Sequence, residues 1–381
     1  MPHAAEWLRL VLVDGLGPRG LLRLLRAIGP PAEILAAPVR RLAAQVGDDL
    51  ARRIAGPDAD LEAGVAATLA WLEGADDRHL LALDDPAYPP AWLGLDDPPP
   101  CVMVRGRLEA LAIPALAIVG ARHASPGGAR IAREFAAGLA AEGWAIASGL
   151  ALGIDAAAHV GALEATGRTV AFVGTGLDVV YPRRHGALAD RIAATGAIVS
   201  EFPLGTPPLR PHFPRRNRLI AAHSRGVLVV EAARRSGSLI TATQANDLGR
   251  EVFAVPGSVH SPLARGCHWL IRQGARLVED VEHIREEFPR TAWPSSGPAE
   301  RPRAGAEPPG PALGKTAAAT LRRLDWHPAS LDALAEGQPL GVPELLAALL
   351  ELELAGLAER LADGRYQRRA PAGGHGPSAG T

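Results

Sequence analysis

From Leu116 onward one pattern recurs along the chain. A short run dominated by apolar residues is followed by a longer stretch whose apolar positions fall three and four apart. The runs are Leu116–Val119, Ala145–Ala147, Val170–Val173, Ile198–Ser200, Val227–Val230 and Val252–Val255. Between them lie Ala129–Glu142, Ala156–Thr166, Ala187–Thr195, Asn217–His223 and Ile240–Leu248. Apolar runs without polar alternation suit strands buried on both faces, and the 3.6-residue period between them suits helices that cover those faces. The pattern predicts an α/β fold with a Rossmann-like parallel sheet core, spanning residues 83–288.

The flanks differ. Trp7 to Leu72 is rich in Leu, Ala and Arg at helical spacing, which predicts a helical domain over residues 1–82. Within it, Gly15-Leu16-Gly17-Pro18 precedes an apolar helix. This resembles the turn of a SAM-like or helix-hairpin-helix domain, whose glycines can aim backbone N–H groups at a phosphate. A plain turn between two core helices explains the same residues and is the simpler reading. A turn-rich bridge follows, with Pro86, Pro89, Pro90 and Pro98-Pro99-Pro100. Residues 289–312 are rich in Pro, Gly, Ala and Arg without periodicity, the composition of a flexible linker. Beyond it, Leu313–Leu324, Ser330–Ala335 and Val342–Ala355 read as three helices, and Gly356–Arg369 as a hairpin turned at Asp363-Gly364. Three helices and a hairpin predict a winged-helix domain at 313–369, with residues 370–381 as a disordered tail.

Composition narrows the function. The formal net charge of −1 provides no global basic field for nucleic acid, so any such binding needs a local patch. Lys315 is the only lysine. High-GC coding bias accounts for that, yet the result is physical: arginine presents a planar fork of donors suited to phosphate oxygens. Two cysteines, Cys101 and Cys267, form no CxxC pair. Neither a disulfide framework nor a zinc site is expected, and a reducing cytosol fits. No run is long and apolar enough for a membrane span, and MPHAAEWLRL does not read as a signal peptide. A cytoplasmic protein without metal or cofactor is expected.

Chemistry concentrates where the strands end. AIVGARHASPGG (Ala117–Gly128), ASGLALGIDAAAH (Ala147–His159), FVGTGLDVVYP (Phe172–Pro182), VVEAARRSGSLITA (Val229–Ala242) and FAVPGS (Phe253–Ser258) each pass from an apolar run into glycines and small polar residues. Ligands of open α/β sheets bind beyond the carboxyl ends of the strands. Glycines there admit an anion to the backbone, and helix N-termini offer N–H donors. Five such loops on one edge predict a phosphate-binding rim built from Gly120, Ser125, Ser148, Gly149, Gly174, Gly176, Ser236, Gly237 and Ser238. Glycines that merely permit tight turns would not require the accompanying serines. The sharpest basic cluster, LRPHFPRRNRLIAAHS (Leu209–Ser224), sets Arg215, Arg216 and Arg218 just before an apolar helix, with Arg210 upstream. Four cations so close repel one another unless an anion or carboxylates offset them. A solvated charge run is the ordinary explanation, but the prolines stiffen this loop into something more like a binding surface.

AIVGAR, SGLALGIDAAAH, GTGLDVVYP, SEFPLG, FPRRNRLIA, SGSLITA, GREVFAVPG and GCHWLIRQGA stand in the order and spacing of the DprA/Smf family, DNA-processing protein A. The resemblance covers about residues 84–281, roughly half the chain. It implies a protein that binds single-stranded DNA without sequence preference, forms a homodimer through the Rossmann-like domain, and loads RecA during natural transformation. Carried over by motif, the DNA contacts are Arg122, Ser148, Gly149, Arg215, Arg216, Asn217 and Arg218. The segment Gly266–Val281 is implied as the dimer surface, with His268 and Leu277 at or near the contact. The chain departs from many relatives in having His185 and His268 where they carry asparagine.

No catalytic residue is assigned. AIVGARHASPGG lacks the GxGxxG spacing of a dinucleotide site, and no GxxxxGK[ST] loop occurs. The serious rival is a LOG-type nucleotide phosphoribohydrolase, which carries PGGxGT followed by a glutamate; here SGSLITATQ (Ser236–Gln244) has no such carboxylate. Glu201 and Glu231 remain, better suited to ordering a glycine loop or pairing with arginine. A nucleotide-binding regulatory module is the third reading. Aromatic residues make up 4% of the chain, and only Phe213 interleaves the basic stretch. Binding is therefore expected to rest on phosphates more than on base stacking, with strong salt dependence.

Overall fold

The computed structural model describes residues 3–288, 313–325, 328–336, 340–361 and 363–369. The expected linker and tail lie outside them. Six helices open the chain: α1 (Ala4–Val11), α2 (Gly17–Ala27), α3 (Pro31–Ala36), α4 (Val39–Val46), α5 (Asp48–Ala55) and α6 (Ala59–Glu73). The sheet then runs through β1 (Arg78–Ala82), β2 (Cys101–Gly106), β3 (Ala115–Val119), β4 (Ala145–Ser148), β5 (Thr169–Phe172), β6 (Ala197–Ser200), β7 (Ser224–Val229), β8 (Glu251–Ala254) and β9 (Arg276–Leu277). Between and after the strands come α7 (Pro126–Ala141), α8 (Ile154–Ala165), α9 (Gly186–Thr195), α10 (His212–His223), α11 (Ser238–Asp247), α12 (Arg265–Arg272) and α13 (Val281–Glu286).

The strand order is β1-β2-β6-β5-β4-β3-β7-β8-β9. Strands β6 to β9 in that order are parallel, while β2 runs antiparallel to β6 and to β1. The Rossmann-like core is thus present, extended by an antiparallel pair. Each central strand packs on both faces, which is why its sequence shows no alternation. Ala115, Ala117 and Val119 share a core with Leu219, Ala222 and Leu239 of α10 and α11. Leu116 and Ile118 face Ala132, Phe135 and Ala158 of α7 and α8. The chain builds outward from β3 to β6, then returns beside β3 as β7. The crevice between β3 and β7 is therefore the topological switch point, where such sheets hold ligands.

The expected boundary at residue 82 does not separate two bodies. Strand β1 pairs along its length with β2, and Leu80, Ala82, Cys101, Met103 and Ile198 share one core with Trp7, Leu10, Leu24, Ile34 and Leu42. Residues 1–299 form one compact unit and 300–381 a second. The N-terminal helices pack on one another, and through α1 and α6 their core continues onto β1 and β2. In the second unit α14 (Lys315–Arg323), α15 (Leu331–Ala335) and α16 (Val342–Leu354) precede a hairpin of β10 (Ala358–Arg360) and β11 (Tyr366–Arg368), turned at Gly364 with φ +84°. Ala329 makes an isolated antiparallel bridge to Tyr366 beside this hairpin.

Candidate nucleic-acid interface

The loops leaving β3, β4, β5 and β7 meet at the switch point, but two of them already hold an anion. Ser125 caps α7, its Oγ accepting from Gly128 N at 2.9 Å. Glu231, beyond the end of β7, accepts from Ser125 N at 2.9 Å and from Ser125 Oγ at 2.6 Å. A Cβ at Gly128 would stand 2.3 Å from the Glu231 carboxyl carbon, so this glycine makes room for the carboxylate. At the next loop Asp155, in the first turn of α8, accepts from Gly149 N at 3.1 Å and Ala151 N at 3.4 Å. The positive helix ends expected to receive phosphate are thus offset from within. Ser148 is fully buried, its hydroxyl donating to Ile118 O at 2.6 Å. Ser125 and Ser148 order the loops and do not form part of an open rim.

The arginine cluster is also redistributed. Arg215, Arg216 and Arg218 were expected just ahead of a helix, and they lie inside the first two turns of α10. Arg216 is buried; its Nη1 donates to Gly149 O at 2.7 Å and to Phe172 O, and its Nε to Asn217 Oδ1 at 3.1 Å. Burial pushes its pKa down to about 10, opposed by the Asp155 carboxylate and aided by Arg122. Burial likewise raises Asp155, with Arg216 pulling the other way. A Cβ at Gly149 would come 2.5 Å from Arg216 Nη2 and 2.6 Å from Asp155 Oδ2, so only glycine fits over this pair. Arg218 is buried as well, donating to Glu201 Oε2 at 2.5 Å, with Asp97 at 3.6 Å. Arg215 donates to the same Glu201 oxygen at 3.1 Å and lies over the Phe202 ring, yet stays 40% exposed. Carboxylates offset this cluster, which removes Arg216 and Arg218 as freely presented cations. Asn217, half-buried, also has its Nδ2 3.4 Å from Gly237 O.

What remains open is a small pocket of about 50 Å³ lined by Arg122, Gly149, Gly174, Tyr181, Phe213 and Arg216, among others. Arg122 is exposed and its guanidinium lies 5.0 Å from the Phe213 ring centre. Phe213 and Tyr181 are 5.8 Å apart, and Tyr181 is 42% exposed. Gly174 keeps ordinary clearance to Phe213, and Gly237 would meet nothing with a Cβ. Gly120 and Gly176 pack tightly instead, against Ile154 and Glu231 O in one case and Asp178 and Pro203 O in the other. Ser236 Oγ and Ser238 Oγ lie 2.7 Å apart where α11 begins. Exposed arginines also follow β5 (Arg183, Arg184), β6 (Arg210) and β7 (Arg234, Arg235). Sequence reasoning passed over Tyr181, Arg183, Arg184, Arg234 and Arg235 as site residues. Tyr181 stood in the quoted GTGLDVVYP string, but only the fold brings it beside Phe213.

The expected dimer segment divides similarly. Leu270 and Val278 are buried in the protein's own core, and Trp269 lies under Arg234. Leu277 is 47% exposed on β9, the last strand of the sheet, and His268 Nε2 lies 2.9 Å from Gly257 O. Among the described residues no helix is long and apolar enough to cross a membrane, and no cluster of His, Cys, Asp or Glu could hold a metal.

The class these features define is an α/β unit with an arginine–aromatic pocket beyond the carboxyl ends of β3, β4 and β5, followed in the same chain by a winged helix. Residues 79–289 match the model of DNA recombination-mediator protein A, and residues 304–364 that of the DprA winged helix domain. The chain belongs to the DprA/Smf family. It is 40% identical over 358 residues to protein Smf of Escherichia coli, covering 92% of each chain. To the DNA processing protein DprA of Streptococcus pneumoniae it is 44% identical over 222 residues, 56% of this chain and 78% of that one. The X-ray structure of the pneumococcal protein superposes with TM-score 0.67 at 35% identity, over 75% of this chain and 98% of that one. DNA processing protein A from Helicobacter pylori, whose structure concerns a unique single-stranded DNA binding mode, superposes with TM-score 0.50 at 29% identity, over 54% and 94%.

Proposed function

We propose that this protein binds single-stranded DNA across the carboxyl ends of its parallel strands, shields it, and loads RecA onto it during natural transformation and homologous recombination. The observation that carries the reading is the open pocket where Arg122, Tyr181 and Phe213 meet over the Gly149 loop. Arg122 reaches a phosphate or stacks on a base, and the two rings offer a π-face worth about 1–3 kcal/mol per stacked base. Arg183, Arg184, Arg210, Arg215, Arg234 and Arg235 extend the positive track. Binding thus combines phosphate contacts with one stacking point. The reading is that of a cytoplasmic, non-catalytic protein without cofactor: both oxygens of Glu231 are engaged by Ser125, leaving that carboxylate unsuited to general acid/base work. A homodimer through β9, with Leu277 at the contact and His268 nearby, would double the track and add avidity.

The deciding experiment titrates labelled single-stranded and duplex oligonucleotides of mixed sequence by fluorescence anisotropy, for the wild type and Arg122→Ala/Tyr181→Ala. Preference for the single strand, abolished in the double variant, is the expected result. Equal affinity for duplex, or a variant that binds as well as wild type, overturns the assignment. Filament nucleation by RecA on the protein–DNA complex, compared with bare DNA, tests the loading step separately.

A further inference from the structure

The helix that reads DNA in winged-helix domains is the second of the helix-turn-helix pair, which here is α16. Its inward side is ordinary core: Leu345, Ala348, Leu349 and Leu352 pack with Leu324, Leu334 and Tyr366. The outward side is not ordinary. Val342, Leu346, Leu350 and Leu354 are 50, 41, 55 and 82% exposed, one every four residues over three turns. A groove-reading helix presents Arg, Lys, Asn or Gln to base edges and phosphates. In α16, VPELLAALLELEL, there is none of these; its charged residues are Glu344, Glu351 and Glu353. Glu344 accepts from Gly341 N at 3.0 Å and Glu351 from Gly314 N at 2.6 Å, so two of the carboxylates also anchor the backbone at helix ends. Phosphates would be repelled along this helix, and its leucines would gain nothing from them.

We infer that the outward face of α16 docks a protein helix, one whose apolar side covers Leu346, Leu350 and Leu354 and whose flanks carry lysine or arginine. Contiguous exposed apolar residues mark interaction sites, and a stripe at four-residue steps packs into the like ridge of a second helix at roughly −50°. Charge decides which helix. A second copy of α16 would bring three further carboxylates and no cation to the contact, whereas a basic amphipathic helix meets the glutamates with opposite charge.

The test uses the full chain and its Leu346→Ser/Leu350→Ser variant, which alters exposed positions and leaves the charge unchanged. Three labelled probes are titrated: a synthetic Leu/Lys amphipathic helix, the same pattern with Glu for Lys, and a duplex oligonucleotide. The wild type should bind the Leu/Lys peptide and not the Leu/Glu peptide. The variant should bind it at least about tenfold more weakly, since two leucines would no longer be withdrawn from water on binding, while circular dichroism stays unchanged. Equal peptide binding by both proteins, or by neither, overturns the inference. So does duplex binding that the variant abolishes, which would make α16 a DNA reader. A light-scattering mass that falls in the variant would make the occupant a second copy, and equally refutes it.

Discussion

Replacing Arg216 by alanine separates a structural cation from a DNA-binding one. The guanidinium is buried, donates to the carbonyls of Gly149 and Phe172, and faces Asp155. Its removal leaves a buried carboxylate without its main countercharge and two carbonyls without this donor. Breaking a buried pair from one side costs about 3–5 kcal/mol, the orphaned carbonyls included. With a urea m-value of about 3 kcal/mol per molar, the unfolding midpoint should fall by about 1–2 M. Tryptophan fluorescence is the probe, because the described tryptophans, Trp7, Trp71, Trp92, Trp144 and Trp269, all belong to the larger unit. The transition of the smaller unit is followed separately. The deficit should depend on pH in a definite sense. Burial already raises the Asp155 pKa above its ordinary 3.8, and Arg216 opposes that rise; in the variant it climbs further. A carboxyl whose folded pKa is raised contributes stability below its unfolded value and loses it as pH rises through the folded one. The deficit is therefore largest at neutral pH and shrinks on acidification toward the ordinary carboxylate range. An Arg216→Ala protein that unfolds at the wild-type midpoint, yet binds DNA weakly with a flatter salt slope, would refute this reasoning and return Arg216 to the interface.

Arg122→Ala is the counterpart: exposed, set over Phe213 and coupled electrostatically to Asp155 and Arg216 with opposite signs, it should alter stability by no more than about 1 kcal/mol. The slope of log affinity against log salt, measured on single strands, should flatten by about 0.7 for each phosphate that the variant leaves unneutralised. Unchanged slope removes Arg122 from the track. Glu231→Gln should lower stability by about 1 kcal/mol through the weakened Ser125 hydrogen bonds, and chromatography of wild-type reactions with nucleoside monophosphates should reveal no free base; release that the substitution abolishes would establish a hydrolase. Leu277→Arg should halve the light-scattering mass at micromolar concentration with circular dichroism intact, whereas a monomeric wild type would end the dimer argument.

The sheet was legible because burial on both faces removes alternation from β3 to β8, and the glycines that follow β3, β4 and β5 mark the loop edge. The winged helix was legible from three short helical periods and an Asp-Gly turn. Local spacing could not reveal that the N-terminal helices share a core with β1 and β2, since an amphipathic face does not name what it covers. Nor could it sort the arginines. In PRRNR, Arg215, Arg216 and Arg218 are equivalent as a string, and helical geometry sends two inward, to Asp155 and Glu201, which lie 61 and 17 residues away in the chain. The glycine loops looked equally open, yet Glu231 and Asp155 already answer two of their helix ends. Residue type and order determined the fold class and the edge that carries the site. Which cations and amides face solvent was decided only in three dimensions, because a buried charge takes its partner from whichever segment the sheet brings beside it.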